Sequence, residues 1–126
     1  MRLLDEMFVL VSDDGRQAVL RLAPAHPIFE MHFPGMPITP GVCLVKMLGE
    51  LLERKTGCKL QLERIVNLKF THTLSPEETS LLTVCFDSIE ADEEKGIHAK
   101  GTITANEQVA TKFSVIFKRL EEAVNP

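Results

Sequence analysis

The sequence predicts an α+β domain, one long helix packed against an antiparallel sheet of five or six strands, because three features of the chain agree on it. One stretch, Gly41 to about Lys55, repeats its apolar residues at three- and four-residue steps. Most of the remaining apolar sequence falls in β-rich runs separated by turn-forming residues. Finally, a chain of 126 residues can bury roughly two-thirds of its unfolded surface, so one domain spanning 1–126 needs neither disulfides nor a structural metal.

The elements follow in order. Glu6 to Ser12 and Gln17 to Ala23 flank Asp13-Asp14-Gly15-Arg16, where Asp and Gly supply turn chemistry, and read as a hairpin. Five of the seven prolines, Pro24, Pro27, Pro34, Pro37 and Pro40, then fall within residues 24–40. Each fixes its own φ and turns its predecessor away from helix, which predicts an extended, rigid loop. In the helix Val42, Val45, Leu48 and Leu52 recur on one side, flanked by Leu44, Met47 and Leu51. Lys46, Glu50, Glu53 and Arg54 project onto one polar stripe, and Gly57 supplies the stop.

The later runs are Leu60 to Leu74, Thr79 to Ile89, Ile97 to Ala105 and Val109 to Leu120. In the last of them Thr111, Phe113, Val115, Phe117 and Arg119 alternate with Ala110, Lys112, Ser114, Ile116 and Lys118. One half of the alternation is strongly apolar, so this strand lays one face on a core.

Composition excludes several functions. Lys and Arg number 14 against 18 Asp and Glu, a formal charge of −4, which argues against a broad electrostatic grip on nucleic acid. The N-terminal run is interrupted by acids and does not read as a signal peptide, and no segment approaches the roughly 18 apolar residues of a membrane span. The expectation is a cytoplasmic protein with no membrane association. Cys43, Cys58 and Cys85 have no metal-like spacing and read as reduced packing residues. His26 lies six residues before His32 but has no third ligand near it, so no metal is expected.

The sharpest local feature is His32-Phe-Pro-Gly-Met-Pro-Ile-Thr-Pro-Gly-Val42, which runs into the helix. As HFPGxPxxPGV, matched at all eight fixed positions over eleven residues, it resembles the signature of the 3-hydroxyacyl-(acyl carrier protein) dehydratases, which have the hot-dog fold. Asn67-Leu-Lys-Phe-Thr-His-Thr-Leu-Ser-Pro76 is similar to the family's strand after the helix, with Glu77-Glu78 where the family has Gly-Asp. The resemblance covers nearly the whole chain. It implies a long central helix wrapped by strands, and dehydration of an acyl carrier protein or coenzyme A thioester in fatty-acid or related lipid or polyketide metabolism, with no cofactor.

Removing water from such a thioester takes a base, an acid and donors for charge developing on the carbonyl oxygen. His32 suits the base by its ordinary pKa of about 6.5, while the bland alternative is a histidine satisfied by backbone carbonyls in a stiff loop. Gly41 and Val42 open the helix after Pro40, so their amides suit the oxyanion donors, or simply start a helix. Phe33, Gly35 and Lys46 are further expected substrate-binding residues.

The chain departs from the resemblance at the acid. The family carries Glu or Asp fourteen residues past its histidine, here Lys46, and a Gln one turn later, here Glu50. Three readings stand open: Lys46 pairs with Glu50 on a solvated face, Glu50 takes over as acid with Lys46 beside it, or dehydration is lost and thioester binding kept. A thioesterase is a further option, since the fold also hosts thioester hydrolysis. The family's sites are shared across a dimer, which implies a homodimer, or a heteromer with another hot-dog subunit that supplies the carboxylate. An acidic carrier would want a basic rim, for which Arg54, Lys55, Lys59 and Arg64 are the candidates.

Overall fold

The computed structural model describes residues 8–22, 41–72, 81–92 and 96–120. Their elements are β1 (Phe8–Asp13), β2 (Gln17–Leu22), α1 (Gly41–Thr56), β3 (Leu60–Phe70), β4 (Leu81–Asp92), β5 (Gly96–Ala105) and β6 (Gln108–Arg119). The strands form one antiparallel sheet in the order β1-β2-β4-β5-β6-β3. This is the helix and six-stranded sheet that the hot-dog fold requires.

Local chemistry explains the turns. The Asp13 carboxylate accepts the Gly15 amide at 2.9 Å, and that of Asp14 accepts the amides of Arg16 at 2.9 Å and Gln17 at 2.7 Å. These two bonds, Gln17 first, hold the Asp14 carboxyl below its ordinary value. Between β5 and β6 a two-residue turn places both Asn106 (φ 51°) and Glu107 (φ 64°) in the left-handed region, which matches the twist of the paired strands. Gly57, at φ 72°, donates its amide to the Glu53 carbonyl at 2.8 Å and ends α1 where the sequence placed the stop.

The helix period and the strand alternation meet in one core. Leu44, Met47, Leu48, Leu51 and Leu52 of α1 are buried against Leu20, Leu82, Val84, Ile97, Val115 and other inward residues of the sheet. Gly49 lets α1 approach β6 closely, since a Cβ there would stand 2.8 Å from the Phe117 ring. Side chains from the end of α1 reach opposite ends of the sheet. Glu53 accepts the Leu60 amide of β3 at 2.9 Å, while Lys55 pairs with Asp13 of β1 at 3.4 Å, bonds the Gly15 carbonyl and lies 5.5 Å from the Phe86 ring centroid. A sheet whose two edge strands both contact one helix end must curl around it.

Three expectations change. The run expected to continue to Leu74 leaves the strand after Phe70, where the amides of Thr71 and His72 both turn to the Ala110 carbonyl. β4 continues past Ile89, because Glu90, Ala91 and Asp92 pair with His98, Ile97 and Gly96. Residues 6, 7, 23, 73, 74, 79 and 80, assigned to strands from sequence, lie outside the described residues.

Candidate active site at the helix start

His32, Phe33 and Gly35, with the rest of the proline-rich segment, lie outside the described residues, so the structure describes the helix half of the candidate site: Gly41, Val42, Lys46 and Glu50. α1 begins at Gly41 with no acidic side chain in its first turn. Its leading amides have no partner within the helix and carry the positive end of the helix dipole. Val42 is 74 % exposed, so this end of the helix meets solvent on that side.

Phe70 escaped the reading of the sequence. Its ring packs on Gly41 so closely that an added Cβ would stand 2.8 Å from its Cζ. The contact gives Gly41 a steric reason to be glycine, apart from any ligand. It also sets the end of β3 beside the start of the helix. Nothing local in Asn67-Leu-Lys-Phe70 signals this; it follows from the antiparallel path of β3 alongside α1.

Lys46 and Glu50 part company. Lys46 is exposed, whereas Glu50 is only 5 % exposed. The polar stripe expected for Lys46, Glu50, Glu53 and Arg54 is therefore not evenly solvated: Glu50 is buried, and the half-buried Glu53 accepts the Leu60 amide. A pair of Lys46 with Glu50 on an open face fails for the same reason. Helical spacing puts Glu50 beside Lys46, but tertiary cover rather than spacing decides which of them meets water.

Cys43 lies in the first turn of α1, a place that by itself favours a thiolate. Burial opposes this and pushes the thiol up, in keeping with the packing role expected of Cys43. Met47 is fully buried core. Met31, Met36 and His26 lie outside the described residues. Among the described residues no group of three or more His, Cys, Asp or Glu could hold a metal ion. No described helix is long and apolar enough to cross a membrane.

The candidate basic rim does not form one patch. Lys55 is committed to Asp13 and the Gly15 carbonyl, and Arg64 sits on the face of the sheet away from α1. That outer face carries a cross-strand row Glu90, His98, Ile116, Arg64 bordering a cavity of about 830 Å3. His98 is satisfied there by Ser114 Oγ at 2.7 Å. None of the described site candidates, Gly41, Val42, Lys46 and Glu50, lines the cavity, and it lies across the sheet from the helix start.

The profile of the ApeI-like family, described as ApeI dehydratase, matches residues 10–113. Among curated proteins, a 3-hydroxyacyl-(acyl carrier protein) dehydratase FabZ of Syntrophomonas wolfei is 26 % identical over 122 residues, 91 % of this chain and 83 % of its own. Another, of Blochmanniella pennsylvanica, is 30 % identical over 116 residues, 84 % of this chain and 74 % of its own. Among solved structures, the dehydratase heterocomplex ApeI:P from Xenorhabdus doucetiae superposes with a TM-score of 0.65 at 20 % identity, covering 89 % of this chain and 98 % of that one.

Proposed function

The chain belongs to the ApeI-like dehydratase family, and from that premise we propose that it removes water from a 3-hydroxyacyl thioester carried on an acyl carrier protein or coenzyme A. In this reading His32 takes the proton from the carbon next to the carbonyl. The freed electron pair forms the carbon–carbon double bond as the bond to the hydroxyl oxygen breaks, and the hydroxyl leaves as water with a proton from Glu50. The Gly41 and Val42 amides hold the carbonyl oxygen as it gains charge, and a glycine there lets the ligand approach the backbone. Phe33 and Gly35 line the acyl thioester. Lys46, exposed one turn along the helix, offers a cation to an acidic carrier.

The observation that supports this most directly is the helix start itself. An acid-free first turn opens on Gly41 immediately after the proline-rich sequence that carries His32. Glu50 is the first acidic side chain along α1 and is withdrawn from bulk water, which fits a group used for proton transfer better than a surface ion pair. The setting we propose is cytoplasmic fatty-acid or related lipid or polyketide synthesis.

The exposure of Lys46 favours a second reading. A lysine open to solvent stands where the family has its acid, so the chain can bind acyl thioesters without turning them over and act as the partner of a subunit that supplies the carboxylate. The ApeI:P dehydratase is by its name a heterocomplex. Purified chain incubated with 3-hydroxyacyl and 2-enoyl thioesters of carrier protein and coenzyme A separates the readings. His32-dependent interconversion by the chain alone supports the enzyme. Binding without turnover, with activity gained on adding a second hot-dog subunit or on Lys46→Glu, supports the partner subunit.

A further inference from the structure

Thr111 stands on the helix side of β6, in the alternation that carries Phe113, Val115 and Phe117 into the core, and is 0 % exposed. Its neighbours across the sheet are apolar, Phe70 on β3 and Ile103 on β5. Among the described residues its Oγ1 has no hydrogen-bond partner. Arg119 Nε shares that condition, but the Arg119 side chain is only half-buried and turns its other N–H groups to water. The hydroxyl of Thr111 has no such outlet.

A hydroxyl taken from water and left unpaired opposes folding, and buried polar groups are for that reason almost always bonded. Valine has the same shape and the same liking for a strand, and would fill the place with no unpaired atom. A threonine there is explained by something that binds to it. Its surroundings say where that would come from. Phe70 pairs with Thr111 and lays its ring on Gly41, while the Thr71 and His72 amides bond the Ala110 carbonyl and fix this end of β3 against β6. The hydroxyl therefore faces the helix side of the sheet at the end where α1 starts. Phe70 is 50 % exposed, so this end is open to a ligand past its ring.

The chemistry of an acyl thioester leaves one atom for Thr111. In the proposed reaction the Gly41 and Val42 amides take the carbonyl oxygen, and most of the acyl chain is apolar. The 3-hydroxyl is the remaining polar group that loses water on entering such a site, and it needs a partner there. A threonine hydroxyl both donates and accepts, so it can satisfy a hydroxyl in either sense. We propose that Thr111 Oγ1 binds the 3-hydroxyl of the acyl group and selects 3-hydroxyacyl over saturated acyl thioesters. In the reverse direction the same atom holds the water that adds. The proposal rests on the thioester reading of the helix start but not on turnover, since a chain that only binds acyl thioesters makes the same selection.

Thr111→Val and Thr111→Ser test it with two coenzyme A thioesters, 3-hydroxybutyryl and butyryl, the second keeping the carbonyl and lacking the hydroxyl. Thr111→Val lowers kcat/KM for dehydration of the hydroxyacyl thioester by more than about tenfold, because a site built to bond a hydroxyl loses its discrimination with the bond. Its dissociation constant for butyryl-coenzyme A stays within about twofold of the native value. Thr111→Ser, which keeps the hydroxyl, recovers most of the rate. Since the hydroxyl has no partner in the fold, Thr111→Val leaves the urea unfolding midpoint equal or raised. If the native chain binds without turnover, the dissociation constant of the hydroxyacyl thioester is read in place of kcat/KM, so a failed dehydratase reading leaves this test intact. Native chain that binds neither thioester refutes the thioester reading and the proposal with it. Unchanged handling of the hydroxyacyl thioester by Thr111→Val, or an equal loss for butyryl, overturns the proposal alone. So does a lowered midpoint that Thr111→Ser restores, which would mark a structural hydrogen bond.

Discussion

The ring of Phe70, at the end of β3, packs on Gly41, the first residue of α1, with 2.8 Å between its Cζ and the place a Cβ would take. Sheet and helix start are thereby fitted to each other at the position assigned to thioester binding. Gly41→Ala is expected to displace the ring or the first turn and to lower kcat/KM. Phe70→Ala in the same chain makes room for the methyl group and recovers part of that loss. Steady-state kinetics of the two single variants and the double variant check this; a double variant no better than Gly41→Ala contradicts the steric account.

Gly49 poses the same question in the core. A methyl group there would meet the Phe117 ring at 2.8 Å, so Gly49→Ala is expected to cost about 1–3 kcal/mol through overpacking, despite the better helix propensity of alanine. Urea unfolding monitored by circular dichroism gives the value, and an unchanged or raised midpoint contradicts the expectation.

Asp14 ties part of the first hairpin to pH. Its carboxyl is held below the ordinary 3.8 by the Gln17 and Arg16 amides, so its contribution to stability is fully present above that value and fades as pH falls through the lower folded one. Asp14→Ala is expected to be less stable than the native chain near about pH 7, and the difference to shrink toward about pH 2. Paired denaturant titrations at the two pH values measure it; a gap that widens on acidification contradicts the assignment.

Glu107 occupies a left-handed position that glycine adopts without strain. Glu107→Gly is expected to stabilise the β5–β6 hairpin by about 0.5–1 kcal/mol, less the added freedom of glycine in the unfolded chain. Thermal melts test it, and a lowered midpoint says that the Glu107 side chain has a role the turn does not reveal.

The parts of the structure that were legible in the sequence are those fixed by local physics. The helix from Gly41 to its stop at Gly57 follows from apolar period and a positive φ, and the Asp14 and Asn106 turns follow from side chains that tolerate or close tight bends. What was not legible depends on residues far apart in sequence. Glu50 and Lys46 share a stripe, yet only the rest of the fold decides that one is covered. The motif pointed to Gly41 but could not show Phe70 beside it, and Arg64 looked like a neighbour of Lys55 until β3 turned it to the other face of the sheet. The candidate base, His32, rests on motif and family alone.

The central claim is that this chain adds water to, and removes it from, the carbon–carbon bond of an acyl thioester through His32. Mass spectrometry of a 2-enoyl carrier-protein thioester incubated with the native chain in heavy-oxygen water tests it most directly. The account predicts one heavy oxygen on the β carbon, the far end of the former double bond, in an acyl group still attached to its carrier, with the label abolished by His32→Ala. Label in a released free acid, or no label while the thioester remains bound, would contradict it, the first by showing hydrolysis and the second by showing a chain that only binds.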